Sequence, residues 1–285
     1  MTQKPVRAEQ ETPLALAPWS WRHTIVGTTL TLVPWLTLAI GSQAASGSGS
    51  QATARAPSMA ADAAAGVAVF VLSAVIEAVF LLAPLYFALT LPVDDAQTSD
   101  DRPWRTRWRL ATQALGMSKG KPSGATADGH GASPWRAIWL TTWVSALALG
   151  ASAFYSLVIG LTHIPLKTNA DALAKQAHTA PLTTLGALLA AILVAPLCEE
   201  IFFRGFVFPG LLRRLSLWPA MTLSALLFAL AHADLGSFLP LALIGLALAY
   251  LRWRTRSLWP CVALHTLNNL VAAALLAPAL FPLIR

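Results

Sequence analysis

Residues 185–212 read LGALLAAILVAPLCEEIFFRGFVFPGLL. The stretch is apolar over a length that crosses a bilayer, yet Glu199, Glu200 and Arg204 lie inside it. The rest of the chain decides between a charged loop and a charged membrane helix. Of 285 residues, 56% are hydrophobic and only 12% are charged, against about 25% charged in an ordinary soluble domain. Mean hydropathy is +0.59. The apolar runs are long and continuous, without the alternation of a transmembrane barrel. The backbone must therefore satisfy its hydrogen bonds within helices, so the fold class is all-α: a polytopic bundle of about seven spans.

The runs cover 23–40, 62–91, 135–161, 182–212, 218–233, 237–251 and 258–276. The fifth and sixth are short, because about 15 residues rise only about 23 Å against a hydrocarbon core of about 30 Å. They are expected to form a hairpin buried among the other helices. The net charge of +7 does not point to nucleic acid, since Lys and Arg gather in short segments between spans rather than on one helix face. Lys4, Arg7 and Arg22 precede the first span. Arg102, Arg105, Arg107, Arg109, Lys119 and Lys121 fill the connection 92–134, Arg213 and Arg214 follow the fourth span, and Arg252, Arg254 and Arg256 follow the sixth. With seven spans these all fall on one side, opposite Arg55, Lys167, Lys175 and Arg285. The positive-inside rule makes that side cytoplasmic.

The expected organisation is a cytoplasmic tail over 1–22 and a three-span region over 23–181. That region includes a Gly/Ser linker at 41–58 and the basic loop 92–134. A helical domain over 182–276 and a tail over 277–285 follow. The protein is expected to be integral to the cell membrane with its N-terminus in the cytoplasm. Within the basic loop, WRTRWRL (104–110) is either a solvated segment or a Trp-bearing segment lying on the leaflet. His163 and His178 belong to an outer loop and receive no role. Cys198 and Cys261 lie in apolar runs without CxxC spacing, which suggests neither a disulfide framework nor a zinc knuckle.

Ionisable groups inside a membrane are costly and face the bundle interior. Glu200 and Arg204, four apart, share a helix face and can pair. Glu199 is turned by about 100° from Glu200, so it remains free for proton transfer. Pro196 lacks an amide hydrogen and frees the carbonyl of Ile192, which predicts a kink just before the acids. The bland alternative is an ion pair that only fixes packing. In FALAHAD, Phe228 and His232 are four apart, as are His265 and Asn269 in LHTLNNL. The latter spacing suits two donors to one oxygen, and equally an interhelical hydrogen bond. Measured at about 1.5 Å per residue from the basic side, Glu199 and His232 lie about 21 Å deep, His265 about 12 Å and Asn269 about 18 Å. Four groups at comparable depth fit one polar chamber. Glu77 in the second span is a further buried acid, either lining the same cavity, pairing with Arg204 or protonated in the packing.

A carboxylate base, a histidine and a His/Asn donor pair are what the addition of water to an amide requires. EEIFFRG (199–205), FALAH (228–232) and HTLNN (265–269) resemble, in order, the EExxxR, FxxxH and HxxxN motifs of the CPBP (Abi) intramembrane proteases, which include the type II CAAX prenyl endopeptidases. The resemblance covers roughly 182–275. It implies a helical membrane protease in which Glu199 and His232 activate water, His265 and Asn269 form the oxyanion hole, and Glu200 and Arg204 organise the site. No cofactor is needed for that mechanism. A zinc held by a glutamate and the two histidines is the alternative, disfavoured because Asn269 is a poor zinc ligand. The implied partners are membrane lipids and a membrane-associated peptide or protein substrate. A non-proteolytic immunity or scaffold protein of the same family is the competing reading. A proton-coupled transporter lacks the paired broken helices or repeat that it would need.

Overall fold

The computed structural model describes residues 17–48, 57–90, 103–117, 134–162 and 166–280. Expectations for Arg55, Arg102, Lys119, Lys121, His163 and Arg285, for most of the tail 1–22 and for parts of 41–58, 92–134 and 277–285 lie outside the described residues. What is described is helical, without a strand. The elements are α1 (Trp21–Ser48), α2 (Met59–Glu77), α3 (Val79–Leu89), α4 (Pro103–Ala114), α5 (Pro134–Thr162), α6 (Asn169–Thr179), α7 (Pro181–Leu193) and α8 (Ala195–Glu200). A π-helix (Ile201–Val207) follows, then α9 (Phe208–Leu211), α10 (Leu217–Ala231), α11 (Phe238–Thr255) and α12 (Trp259–Leu280).

All seven apolar runs are helical. Six segments are long and apolar enough to cross a membrane, and α10 is a shorter apolar helix. The chain is an integral membrane helical bundle. Its sixth span differs from expectation: α11 runs 18 residues, because Arg252 and Thr255 continue the helix instead of beginning a loop. α10 and α11 do pack as a pair, with Gly245 against Ala225 so closely that a Cβ there would lie 3.0 Å from the Ala225 Cα. Two further helices depart from expectation. The WRTRWRL segment is α4, not a solvated loop: Thr106 and Ala111 are buried while Trp104 and Trp108 stay exposed. The outer loop contains α6, whose start is fixed by a capping box between Thr168 and Asp171.

The basic stretches do meet at one end of the bundle. Arg107 donates to the Leu89 carbonyl at the end of α3 (3.0 Å) and Arg213 to the Ala17 carbonyl before α1 (2.6 Å). The α11–α12 turn joins the same end, since the Leu258 amide donates to the Gly116 carbonyl (2.9 Å) and the Trp259 indole to the Met117 carbonyl (2.9 Å). Acids mark the other end. Asp62 of α2 accepts from the amides of Leu182 and Thr183 (2.8 and 2.9 Å), capping α7 from a neighbouring helix. α2 and α7 cross there backbone to backbone: a Cβ on Gly186 would sit on the Gly66 carbonyl, and one on Gly66 would sit on the Leu182 carbonyl. Small residues provide such close approach where lipid offers no hydrophobic drive between helices.

Every residue of the π-helix is buried. Phe202, Phe203 and Phe206 lock it to α3, α10 and the segment just before α1 through ring contacts with Phe80 (5.2 Å from Phe202), Phe228 (5.4 Å from Phe203) and Trp19 (5.0 Å from Phe206). The charged segment is therefore the centre of the packing: the first two spans pack on it through α1 and α3, while the third, α5, packs on α11 and α12.

Gly186→Leu is expected to force α2 and α7 apart at a loss of about 1–3 kcal/mol, read as a lower melting temperature in detergent. Conversely, α11 ends on Arg256 in the left-handed region at φ 56°, a conformation that is easy for glycine and costly for a branched chain. Arg256→Gly is expected to raise the melting temperature, by a gain of up to about 1 kcal/mol.

Candidate active site

The site begins with a defect. Pro196 cannot donate to the Ile192 carbonyl, and the helix breaks at Val194, between α7 and α8. α12 covers the opening: Thr266 Oγ1 approaches the Ile192 carbonyl (3.5 Å) and the Asn269 amide donates to the adjacent Ala191 carbonyl (2.8 Å). The expected kink is present, and it delivers Glu199 and Glu200 into the interior.

Glu200 and Arg204 pair at 3.0 Å with both side chains 0% exposed. Arg204 also donates to the Gly245 carbonyl on α11 (2.9 Å), and its guanidinium carbon lies 4.4 Å from the centre of the Phe228 ring. The same Glu200 oxygen, Oε1, takes a second bond from His265 Nδ1 at 2.9 Å. A carboxylate paired with arginine can only accept, so His265 Nδ1 carries its hydrogen toward Glu200. The outward nitrogen, Nε2, then donates only when the ring is an imidazolium. This refines the donor-pair expectation for His265.

Glu199 points elsewhere, as its rotation requires. Its side chain is 9% exposed and lies 3.9 Å from His232 Nε2, and its Oε2 is buried without a hydrogen-bond partner among the described residues. His232 Nδ1 lies 2.8 Å from the Phe228 carbonyl. That oxygen cannot donate, so Nδ1 holds the hydrogen, and neutral His232 turns a lone pair toward Glu199. Two acceptors thus face each other across a gap too wide for a direct bond. One water with two hydrogens matches both.

All six motif side chains are brought to one region by three helical segments. Glu77, at the α2–α3 break, is near enough to Glu199 for their charges to interact. Its Oε2 is also buried and unpartnered among the described residues. It makes no ion pair with Arg204, whose carboxylate is Glu200. Sequence reasoning gave Phe228 no function of its own. Yet its carbonyl orients His232 and its ring lies 4.7 Å from His232 and 5.4 Å from His265, forming the wall between the histidines. The i to i+4 spacing within FxxxH was the available signal. Zinc fits poorly: no three His, Cys, Asp or Glu side chains assemble as a ligand set among the described residues.

The loop beyond His232 is tied down from several helices. Asp234 accepts from the amides of Asn169 (2.9 Å) and Ser237 (3.0 Å). The Asn169 side chain reaches the His232 carbonyl (3.3 Å), and the Trp35 indole donates to the Ala231 carbonyl (2.7 Å). His232 is therefore gripped on both sides of its backbone.

Comparison with known proteins bears on the segment that carries these residues. Residues 180–271 match the family model described as type II CAAX prenyl endopeptidase Rce1-like. "Putative membrane peptidase YdiL" of Bacillus subtilis (strain 168) is 30% identical over 82 residues, which is 29% of this chain and 34% of that protein. The matched part thus spans about a third of that relative's length. No solved structure matches the chain significantly. The segment that holds Glu199, Glu200, Arg204, His232, His265 and Asn269 is thus similar to the Rce1-like type II CAAX prenyl endopeptidases, the family whose three motifs it resembles.

Proposed function

We propose that this protein is an intramembrane endopeptidase that hydrolyses a peptide bond of a membrane-associated protein or peptide. The carrying observation is the pair of facing acceptors, Glu199 and His232 Nε2, 3.9 Å apart. A water between them gives one hydrogen to each and keeps its lone pairs free. Glu199 takes a proton as the water oxygen bonds to the substrate carbonyl carbon, and the carbonyl electrons move onto its oxygen. His265, as imidazolium, donates Nε2–H to that oxyanion, with the second amide hydrogen of Asn269 as its companion. The first is on Ala191. The C–N bond then breaks as the nitrogen receives the proton from Glu199 through His232. Glu200 and Arg204 do not touch the reacting atoms in this scheme; they fix His265.

Oriented N–H donors supply the electrostatic part of such catalysis, and the base supplies about 10²–10⁴-fold. In proteoliposomes carrying a tagged membrane-anchored peptide, Glu199→Gln is expected to lower kcat by about 10²–10⁴-fold while the protein stays folded. Chelator is expected to leave the rate unchanged. Unaltered cleavage by the Glu199 variant would overturn the mechanism. Absence of cleavage by the intact wild type across membrane peptides would favour a non-proteolytic family member. Glu200→Gln should behave differently from Glu199→Gln. It leaves the Arg204 charge buried without its partner, a loss of about 3–5 kcal/mol visible as a lowered melting temperature.

The basic end, with Arg22, Arg105, Arg109, Arg214 and Arg254 exposed, is read as cytoplasmic in the cell membrane. An impermeant maleimide added to intact cells is expected to label Thr179→Cys and to spare Arg254→Cys. The reverse pattern would invert the topology.

A further inference from the structure

The π-helix leaves one buried carbonyl without a backbone donor. In a π-helix each carbonyl accepts from the amide five residues on, and Phe203 does so from Phe208. Arg204 comes next. Five residues beyond it stands Pro209, which has no amide hydrogen. The missing donor comes from another helix: Arg252 Nε lies 3.2 Å from the Arg204 carbonyl.

Arg252 belongs to the last turn of α11 and is only 4% exposed, unlike its exposed neighbours Arg254 and Arg256. Among the described residues no carboxylate lies within ion-pair distance of it, and its Nη1 has no hydrogen-bond partner. A topogenic arginine would stay in water, and a structural ion pair would have an acid. Neither describes this side chain. Its position is set from the far side by Gly116 (φ +79°), where a Cβ would run into the guanidinium.

We infer that Arg252 is a positioning residue of the site: its Nε–H replaces the amide that Pro209 lacks, and so fixes the turn from which Arg204 reaches Glu200 and, through it, His265. The donor atom matters here and the charge does not. This rests on the protease reading for its activity readout only.

Three substitutions separate donor from charge. In glutamine, Nε2 is bonded to Cδ as Nε is in arginine, so Arg252→Gln keeps a donor at that place without the cation. Arg252→Lys keeps the cation and puts a methylene there, while Arg252→Met removes both. In the proteoliposome assay, Arg252→Gln is expected to stay near the wild-type kcat, and Arg252→Lys and Arg252→Met to fall about tenfold with KM little changed. Deuterium uptake of 199–212 in the solubilised protein should rise in the Lys and Met variants only. Adding Pro209→Ala should restore most of the lost rate and protection to either, because position 209 then regains an amide hydrogen. A lysine variant more active than the glutamine variant, or double variants as impaired as the single ones, overturns the inference. If the Met variant does not fold, the Gln–Lys order still decides. If the wild type cleaves nothing, the protease reading falls and deuterium uptake alone tests Arg252.

Discussion

A single oxygen, Oε1 of Glu200, accepts from Arg204 at 3.0 Å and from His265 at 2.9 Å. Among the described residues it is the only link that ties the EExxxR segment to the HxxxN helix by charge, and both ionic partners are withdrawn from solvent. Burying such a pair is rarely a net gain in stability. What it secures here is direction. The arginine keeps the carboxylate an acceptor, the acceptor fixes the histidine tautomer, and the tautomer decides which ring nitrogen faces the chamber. Arg204 is in turn restrained by the Gly245 carbonyl and the Phe228 ring, so the chain of constraints reaches α10 and α11.

Adjacent acids can have opposite duties because a helix separates neighbours by about 100°. Glu200 turns into the packed interior, where it is fully buried. Glu199 turns toward His232, which is held by a main-chain carbonyl of its own helix and offers no hydrogen to Glu199 when neutral. The unsatisfied geometry between them is the part of the site that requires a small molecule with two hydrogens. Glu77 adds a third carboxyl near that point, coupling the second span to Glu199 electrostatically.

Much of this was legible in the sequence. Apolar length predicts the helices, i to i+4 spacing predicts Glu200–Arg204, and comparable depth anticipates the meeting of three separate segments. What escaped were departures from α-helical periodicity. Segment 201–207 contains nothing that a 3.6-residue pattern would flag, though Pro209 five residues after Arg204 was a readable trace. Arg252 groups with Arg254 and Arg256 by composition, which cannot distinguish a last helical turn from a loop. α4 and α6 escaped because short amphipathic helices owe their stability to tertiary packing, which leaves a weak local signal.

The irregular helices and the polar network are consequences of each other. To aim four side chains into one chamber, the fold breaks α-helical pairing at Val194, through 201–207 and after Ala231. Each break frees carbonyls that lipid cannot satisfy, at a cost of several kcal/mol apiece if left unmade. In each case the donor is a side chain from elsewhere: Thr266 and Asn269 for the first break, Arg252 for the second, Trp35 and Asn169 for the third. Trp35 and Asn169 lie outside the segment that matches the family, 180–271. The motif-free spans therefore supply donors that the motif-bearing helices cannot supply themselves. A chamber of this shape is a property of the whole bundle, and 180–271 alone would carry the reactive groups without the partners that keep its broken backbone satisfied.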